Sequence, residues 1–278
     1  MDSDQQMENK IIDVFDTSEI SDVKVKWEDE AFSDPWKAEP TQPVKAIVSH
    51  ENELIIEKFF QKNPDLKTVK PDITIKPPYP FEEGSDKFNS DDPWIQTFSG
   101  RRFNPTNPVV DAIVIQDIAH ALSMQCRFTG HVRQFYSIAQ HCVLVSYLCD
   151  KDDRRWGLLH DGDEAFLPDL SSPLKHSGKF DSYRECGKQL QNAICKRFGL
   201  PEKEPTSVKF ADILLLATEA RDLMSPLHPD WKQPMEPLPF KIEPWGPDEA
   251  EDRFTKRFYE LWEHTGAYEH YLASKYDR

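Results

Sequence analysis

Apolar residues recur at helical spacing through the last two thirds of the chain and only sporadically before that. Residues 137–149 carry Ile138, Cys142, Val145 and Leu148 at intervals of three and four, which predicts a helix with one face turned to a core. Residues 117–123 predict a short helix and 154–166 form another apolar stretch. Residues 183–198 repeat the pattern through Cys186, Leu190, Ile194 and Phe198, and 208–224 give a further long helix. Residues 225–247 are rich in proline, which predicts irregular chain. Residues 248–263 then return to a helix with Phe254, Phe258, Leu261 and Trp262 on one stripe. The expected fold is all-α, a helical bundle capped by this last helix. The same apolar stripe could serve a homo-oligomer as easily as a core.

The first third reads differently. Residues 1–93 are acidic and punctuated by proline, as in SDPWKAEPTQP and IKPPYPFEEGSDKFNSDDP, which predicts an irregular appended extension. Within it only ENELIIEKFFQK, residues 51–62, has partial helical spacing, through Leu54, Ile55, Phe59 and Phe60. Trp27, Trp36, Ile73 and Phe81 would anchor extended stretches of the arm rather than leave it a free tail. The string WIQTFSGRRFNPTNP from residue 94 suggests a short strand or hairpin followed by turns, so the core domain is expected at 94–224, with a connection and capping helix at 225–278.

Charge and cysteine usage narrow the classes. With 34 basic and 49 acidic residues the net charge is -15, which opposes sequence-independent binding to long nucleic acid but not to a small phosphorylated ligand held by a local cluster. No stripe of lysine and arginine interleaved with aromatics marks a nucleic-acid face. The five cysteines form no C-x-x-C pair and are expected to be reduced and mostly buried. No apolar run approaches the roughly 18–20 residues of a membrane span, and the acidic N-terminus lacks the layout of a secretion signal. A reducing cytoplasm, bacterial or phage-infected, is the expected setting, with no membrane partner.

The chemistry concentrates in WGLLHDGDEAFLPDLSSPLK, residues 156–175, where His160 and Asp161 end an apolar run and open a strongly polar one. Neighbours on a helix point about 100° apart, so the two can share one ion only if other helices supply the remaining ligands. His141 and Asp212 are the candidates, each set in an otherwise apolar helix where an ionisable group facing the bundle must be paired or coordinated. Two imidazoles and two carboxylates suit one divalent ion among manganese, cobalt, iron, nickel, zinc and magnesium. Each of the four is ordinary in isolation; their order and spacing together carry the reading.

The succession of His141, His160 with Asp161, and Asp212 resembles the HD-domain phosphohydrolases. Beyond that skeleton, CRFTGHVRQFYSIAQH and HDGDEAFLPDLSSPLK are similar to segments of bacterial HD-type 5′-deoxynucleotidases and phage dATP triphosphohydrolases, over about residues 94–224. The resemblance implies that His141, His160, Asp161 and Asp212 hold the metal and that Glu164 orients or deprotonates the attacking water. If the helix continues past His160, Glu164 projects to the side of the metal pair. The resemblance further implies that Arg127 and Lys175 contact substrate phosphate and that Asp169 lies near the sugar. Phe128 stands where the deoxynucleotidases carry a tryptophan that helps discriminate the sugar, which leaves sugar preference open. His131 and Arg133 lie close in sequence to this segment and could assist phosphate binding or simply brace the loop. The function so implied is hydrolysis at the α-phosphorus of a nucleotide, either a deoxynucleoside monophosphate or a triphosphate, with the phage-like segment tilting toward triphosphates. The alternatives are a regulatory protein using an HD fold and a phosphodiesterase acting on cyclic dinucleotides or nucleic acid.

Overall fold

Helix Ile138–Leu148 sets the plan of the molecule. Eight of its eleven residues are buried, so it is wrapped by other helices rather than facing solvent along one side. Ser137 starts it by accepting a hydrogen bond from the Gln140 amide at 3.1 Å, which satisfies one of the donors every helix N-terminus leaves unpaired. The computed structural model describes residues 92–233 and 235–262. The extension of 1–93, with its expected helix at 51–62 and its four anchors, lies outside them except for its last two residues.

Among the described residues the fold is all-α, with seven α-helices and one small hairpin. Strands β1 (Ile95–Gln96) and β2 (Arg102–Phe103) pair antiparallel, Ile95 opposite Phe103. Their turn is closed by Gly100 at φ 81, where its amide reaches the Thr97 carbonyl at 3.0 Å. The hairpin is fastened to α1 (Ile115–Met124) by Asp117, whose carboxylate accepts from the Ser99 amide at 2.7 Å and the Ser99 hydroxyl at 2.9 Å. The buried helix above is α2, followed by α3 (Arg154–Leu159), the single turn α4 (Ser172–Lys175), α5 (Asp181–Phe198), α6 (Thr206–Leu223) and α7 (Pro247–Leu261).

Each end has a local cause. Helix α5 stops at Gly199, which takes the left-handed φ of 70 and returns its amide to Cys195. Helix α7 starts with Pro247 at its first position, where the missing N–H costs nothing. The segment between α6 and α7 is irregular, as its prolines predict, yet it is tied down: Gln140 on α2 donates to the Glu243 carbonyl at 2.9 Å and accepts from the Trp245 amide at 2.8 Å.

The main core joins Ile118 and Leu122 of α1, Ile138 and Cys142 of α2, Leu158 and Leu159 of α3, Leu190 and Ile194 of α5, and Phe254 and Phe258 of α7. Of the stripe on the last helix, Phe254 and Phe258 are buried in the chain's own core and Leu261 and Trp262 pack half-buried against it, Phe258 stacking on Trp262 with ring centres 4.3 Å apart. Arg257, buried on the same helix, donates to the Ser146 hydroxyl at 3.1 Å and lies over the Tyr147 ring.

One expected element is shorter than its pattern. The stretch 154–166 is not one helix: α3 ends at Leu159, and a separate 3-10 turn follows at Gly162–Ala165. His160 turns its ring back to cap the helix end, Nδ1 donating to the Gly157 carbonyl at 2.9 Å, and Asp161 leaves helical geometry at ψ 25. Helix α3 also lies very close to α2. A Cβ on Gly157 would fall 2.7 Å from Cys149 Sγ and 3.2 Å from Ser146 Cα, so only glycine fits there without a shift.

Candidate metal centre

Three helices bring the four expected ligands to one spot. His141 comes from the first turn of α2, His160 and Asp161 from just past the end of α3, and Asp212 from the second turn of α6. His141 Nε2 lies 3.1 Å from His160 Nε2, 3.1 Å from Asp212 Oδ1 and 3.8 Å from Asp161 Oδ2. His160 Nε2 lies 3.3 Å from Asp161 Oδ2.

Hydrogen bonds on the far side of each ring fix what these atoms offer. His160 Nδ1 must donate, because its partner is a carbonyl oxygen, and His141 Nδ1 donates to the Glu219 carboxylate at 2.7 Å. With Nδ1 donating outward on each ring, both Nε2 atoms are turned to the centre, beside two carboxylate oxygens. Four polar atoms brought this close can share a cation. Two ligands about 2.1 Å from one ion sit about 3.0–3.4 Å apart across a right or tetrahedral angle, which matches the separations of 3.1–3.3 Å, while His141 and Asp161 at 3.8 Å stand wider. Histidine, aspartate and cysteine groups are thus close enough to hold a metal ion.

The protonation balance carries the same message. Burial alone would raise the Asp161 carboxyl, but His160, His141 and Arg127 hold it well below the usual carboxylate range. Burial opposes charge on His160, but Asp161 beside it raises the imidazole well above its ordinary value. A metal held here would displace that proton, so its binding would strengthen as pH rises.

Asp212 departs from the expectation that it faces the bundle interior. Its side chain is 40% exposed, whereas His141 is fully buried. The cluster is open to solvent on the Asp212 side. A thiol also stands closer than the sequence suggested: Cys142, one residue after His141, groups with His160 and Asp161. Burial pushes this thiol above its ordinary pKa, which keeps it protonated.

Glu164 is reached through the 3-10 turn rather than a continued helix. Its side chain is buried, and Lys175 Nζ from α4 holds Oε1 at 2.8 Å while Oε2 has no hydrogen-bond partner. Burial and Asp161 push the carboxyl well above its ordinary value. Lys175 also meets Asp169 Oδ1 at 3.0 Å, so this lysine neutralises two carboxylates at once. Tyr183 and Arg184 on α5 brace the segment by donating to the carbonyls of Pro168 and Lys175.

Arg127 reaches inward from the loop after α1. Its Nη1 lies 3.4 Å from Asp161 Oδ2 and its Nη2 3.2 Å from Glu219 Oε2. The Phe128 ring sits 5.3 Å from the guanidinium. Phe128 and Thr129 adopt left-handed φ values of 56 and 53, conformations that side-chain-bearing residues hold only when their surroundings impose them. His131 and Arg133 do not join the cluster. They line a separate open hollow of about 470 Å³ with Met224, Leu227, His228 and Trp231. Met224 lies twelve residues beyond Asp212, roughly 18 Å along a helix axis. Arg133 Nη2 donates to the Asp222 carbonyl at 2.6 Å, the bracing alternative for this residue.

Glu219 is the site residue the sequence reading passed over. It is fully buried on α6, seven residues after Asp212. Seven residues are almost two whole turns, so an acid on the same apolar face as Asp212 was a signal available in VKFADILLLATEARDL.

Fold and site together define an all-α protein with a buried histidine and carboxylate cluster able to hold a metal ion. The chain is 39% identical to the uncharacterized protein YfdR of Escherichia coli strain K12 over 174 residues, 61% of this chain and 96% of that one, and it belongs to the same family. It is also similar to the uncharacterized protein RCAP_rcc00048 of Rhodobacter capsulatus, with 37% identity over 128 residues, covering 42% of this chain and 64% of the relative. No family model matches the chain. Among the described residues no helix is long and apolar enough to cross a membrane.

Proposed function

We propose that the protein is an HD-type, metal-dependent phosphohydrolase that attacks the α-phosphorus of a nucleotide with water. The observation that carries the reading is the meeting of His141, His160 and Asp212, with Asp161 3.3 Å from His160 and Glu164 buried and held by Lys175. A divalent ion held by these four residues would supply positive charge for the phosphoryl oxygens and make a nearby water more acidic.

The rest of the work falls to the chain's own groups. Glu164 keeps Oε2 free of partners while Lys175 pins Oε1, so its open oxygen is aimed rather than mobile. That oxygen accepts the proton of the attacking water as the new P–O bond forms. The bond from phosphorus to the nucleoside 5′ oxygen breaks, and the leaving oxygen takes up a proton. Arg127 stands beside Asp161, where its guanidinium opposes the negative charge that grows on the phosphoryl group. Asp169, held by Lys175 at the edge of the site, is the residue offered to a sugar hydroxyl.

The test is a panel of nucleoside mono-, di- and triphosphates incubated with the full chain, stripped and reloaded with manganese, cobalt or magnesium, the products being resolved by chromatography. Nucleoside with phosphate, or nucleoside with triphosphate, supports the reading when Glu164→Ala abolishes it. No product from any member, with metal bound, overturns it.

A further inference from the structure

Glu219 has no direct line to the ligand-facing atoms, yet it touches both halves of the site. Its side chain is completely buried on α6, and its two oxygens are divided: Oε1 accepts from His141 Nδ1 at 2.7 Å and Oε2 from Arg127 Nη2 at 3.2 Å. A guanidinium on one oxygen and a histidine N–H on the other are the partners that suit a carboxylate. An ionised, water-free carboxylate is costly unless both oxygens are matched to donors, and here both are.

We infer that Glu219 is the positioning residue of the centre, aiming the Nε2 lone pair of His141 at the ion and holding Arg127 off Asp161. The inference rests on the proposed metal-dependent reading of the site. Two consequences of the geometry carry it. The bond at 2.7 Å keeps the His141 proton on Nδ1; without an acceptor there, the proton is equally stable on Nε2, and a protonated Nε2 cannot ligate. Arg127 Nη1 already lies 3.4 Å from Asp161 Oδ2, a long contact. Released from Glu219, the guanidinium can close on Asp161 and compete with the ion for that oxygen. His141, Arg127 and Asp161 come from three different parts of the chain, and Glu219 on a fourth sets the spacing among them.

Glu219→Gln separates this role from simple packing. The amide keeps the volume but has one acceptor and one donor end, and both neighbours are donors, so it can satisfy His141 or Arg127 but not both. Two readouts decide the matter. Manganese titration of the full chain followed by electron paramagnetic resonance should show an affinity about 10–100-fold below wild type. Glu219→Asp, which keeps the charge and both acceptor oxygens, should recover part of that loss. In nuclear magnetic resonance spectra of the metal-free protein, the His141 Nδ1 proton, deshielded by its carboxylate partner, should move upfield in Glu219→Gln.

An affinity within twofold of wild type overturns the inference, as does an unshifted His141 resonance. Wild-type protein that binds no manganese overturns the metal-dependent reading instead. The His141 resonance then still reports whether Glu219 orients the ring.

Discussion

Lys175 offers the sharpest test of how the site is tuned. Its ammonium sits 2.8 Å from Glu164 Oε1 and 3.0 Å from Asp169 Oδ1, and Lys175→Met removes the charge while keeping most of the side chain's bulk. At an effective dielectric of about 20, a pair at this distance interacts by about 6 kcal/mol, an upper bound. Removing one partner of a buried pair costs about 3–5 kcal/mol. Because the lysine side chain is 29% exposed, solvent screening reduces the figure, and about 2 kcal/mol of it is assigned to Glu164 ionisation. That corresponds to about 1.5 pK units upward on a carboxyl already raised by burial and by Asp161.

Two results follow, with their signs. Turnover requires Glu164 deprotonated, so the acid limb of kcat against pH, measured with saturating metal, moves to higher pH by about one to two units. Stability changes in the same sense. The folded Glu164 pKa lies above its unfolded value, so the folded state holds this proton more tightly and loses stability as pH rises through the gap. Widening the gap makes the variant's deficit in urea unfolding larger at about pH 8 than at about pH 5. An acid limb that superimposes on wild type refutes the argument that Lys175 controls Glu164.

Adding manganese at about 100 times its dissociation constant should stabilise the folded chain by about 2.7 kcal/mol, and a Tm unchanged by metal, or raised equally in Asp212→Asn, refutes the ligand set. Gly157→Ala places a methyl against Cys149 Sγ and Ser146 Cα, and overpacking of about 1–3 kcal/mol outweighs a gain of about 1 kcal/mol in helix propensity. A urea midpoint at or above wild type refutes this account. Asp222 accepts from the Ile242 amide at 2.8 Å and from Arg221, which in turn holds the Leu238 carbonyl at 2.6 Å, so Asp222→Asn should cost about 1–2 kcal/mol and raise amide exchange in the strap after α6. The Asp222 carboxyl is lowered in the fold, so this contribution is present above its unfolded value of 3.8 and fades as pH falls through the folded one; a deficit that grows as pH falls below 3.8 refutes it.

The apolar spacing in residues 137–149, 183–198 and 248–263 determined helices, and the prolines of 225–247 determined irregular chain, because periodicity and ring constraints are properties of local sequence. The adjacency of His160 and Asp161 at the end of an apolar run, with lone ionisable groups at 141 and 212, was enough to nominate a cluster before any geometry was known. Sequence spacing had no access to the break after Leu159, where the His160 ring turns back on the Gly157 carbonyl. Nor could it show that Lys175 is committed to two carboxylates, that Asp212 stands at the open edge, or that His131 and Arg133 face a different hollow. Glu219 illustrates the division: its place on the Asp212 face was legible from helical period alone. That its two oxygens join α2 to the loop after α1 was decided only by packing, since contacts between residues 78 and 92 positions apart depend on how helices cross.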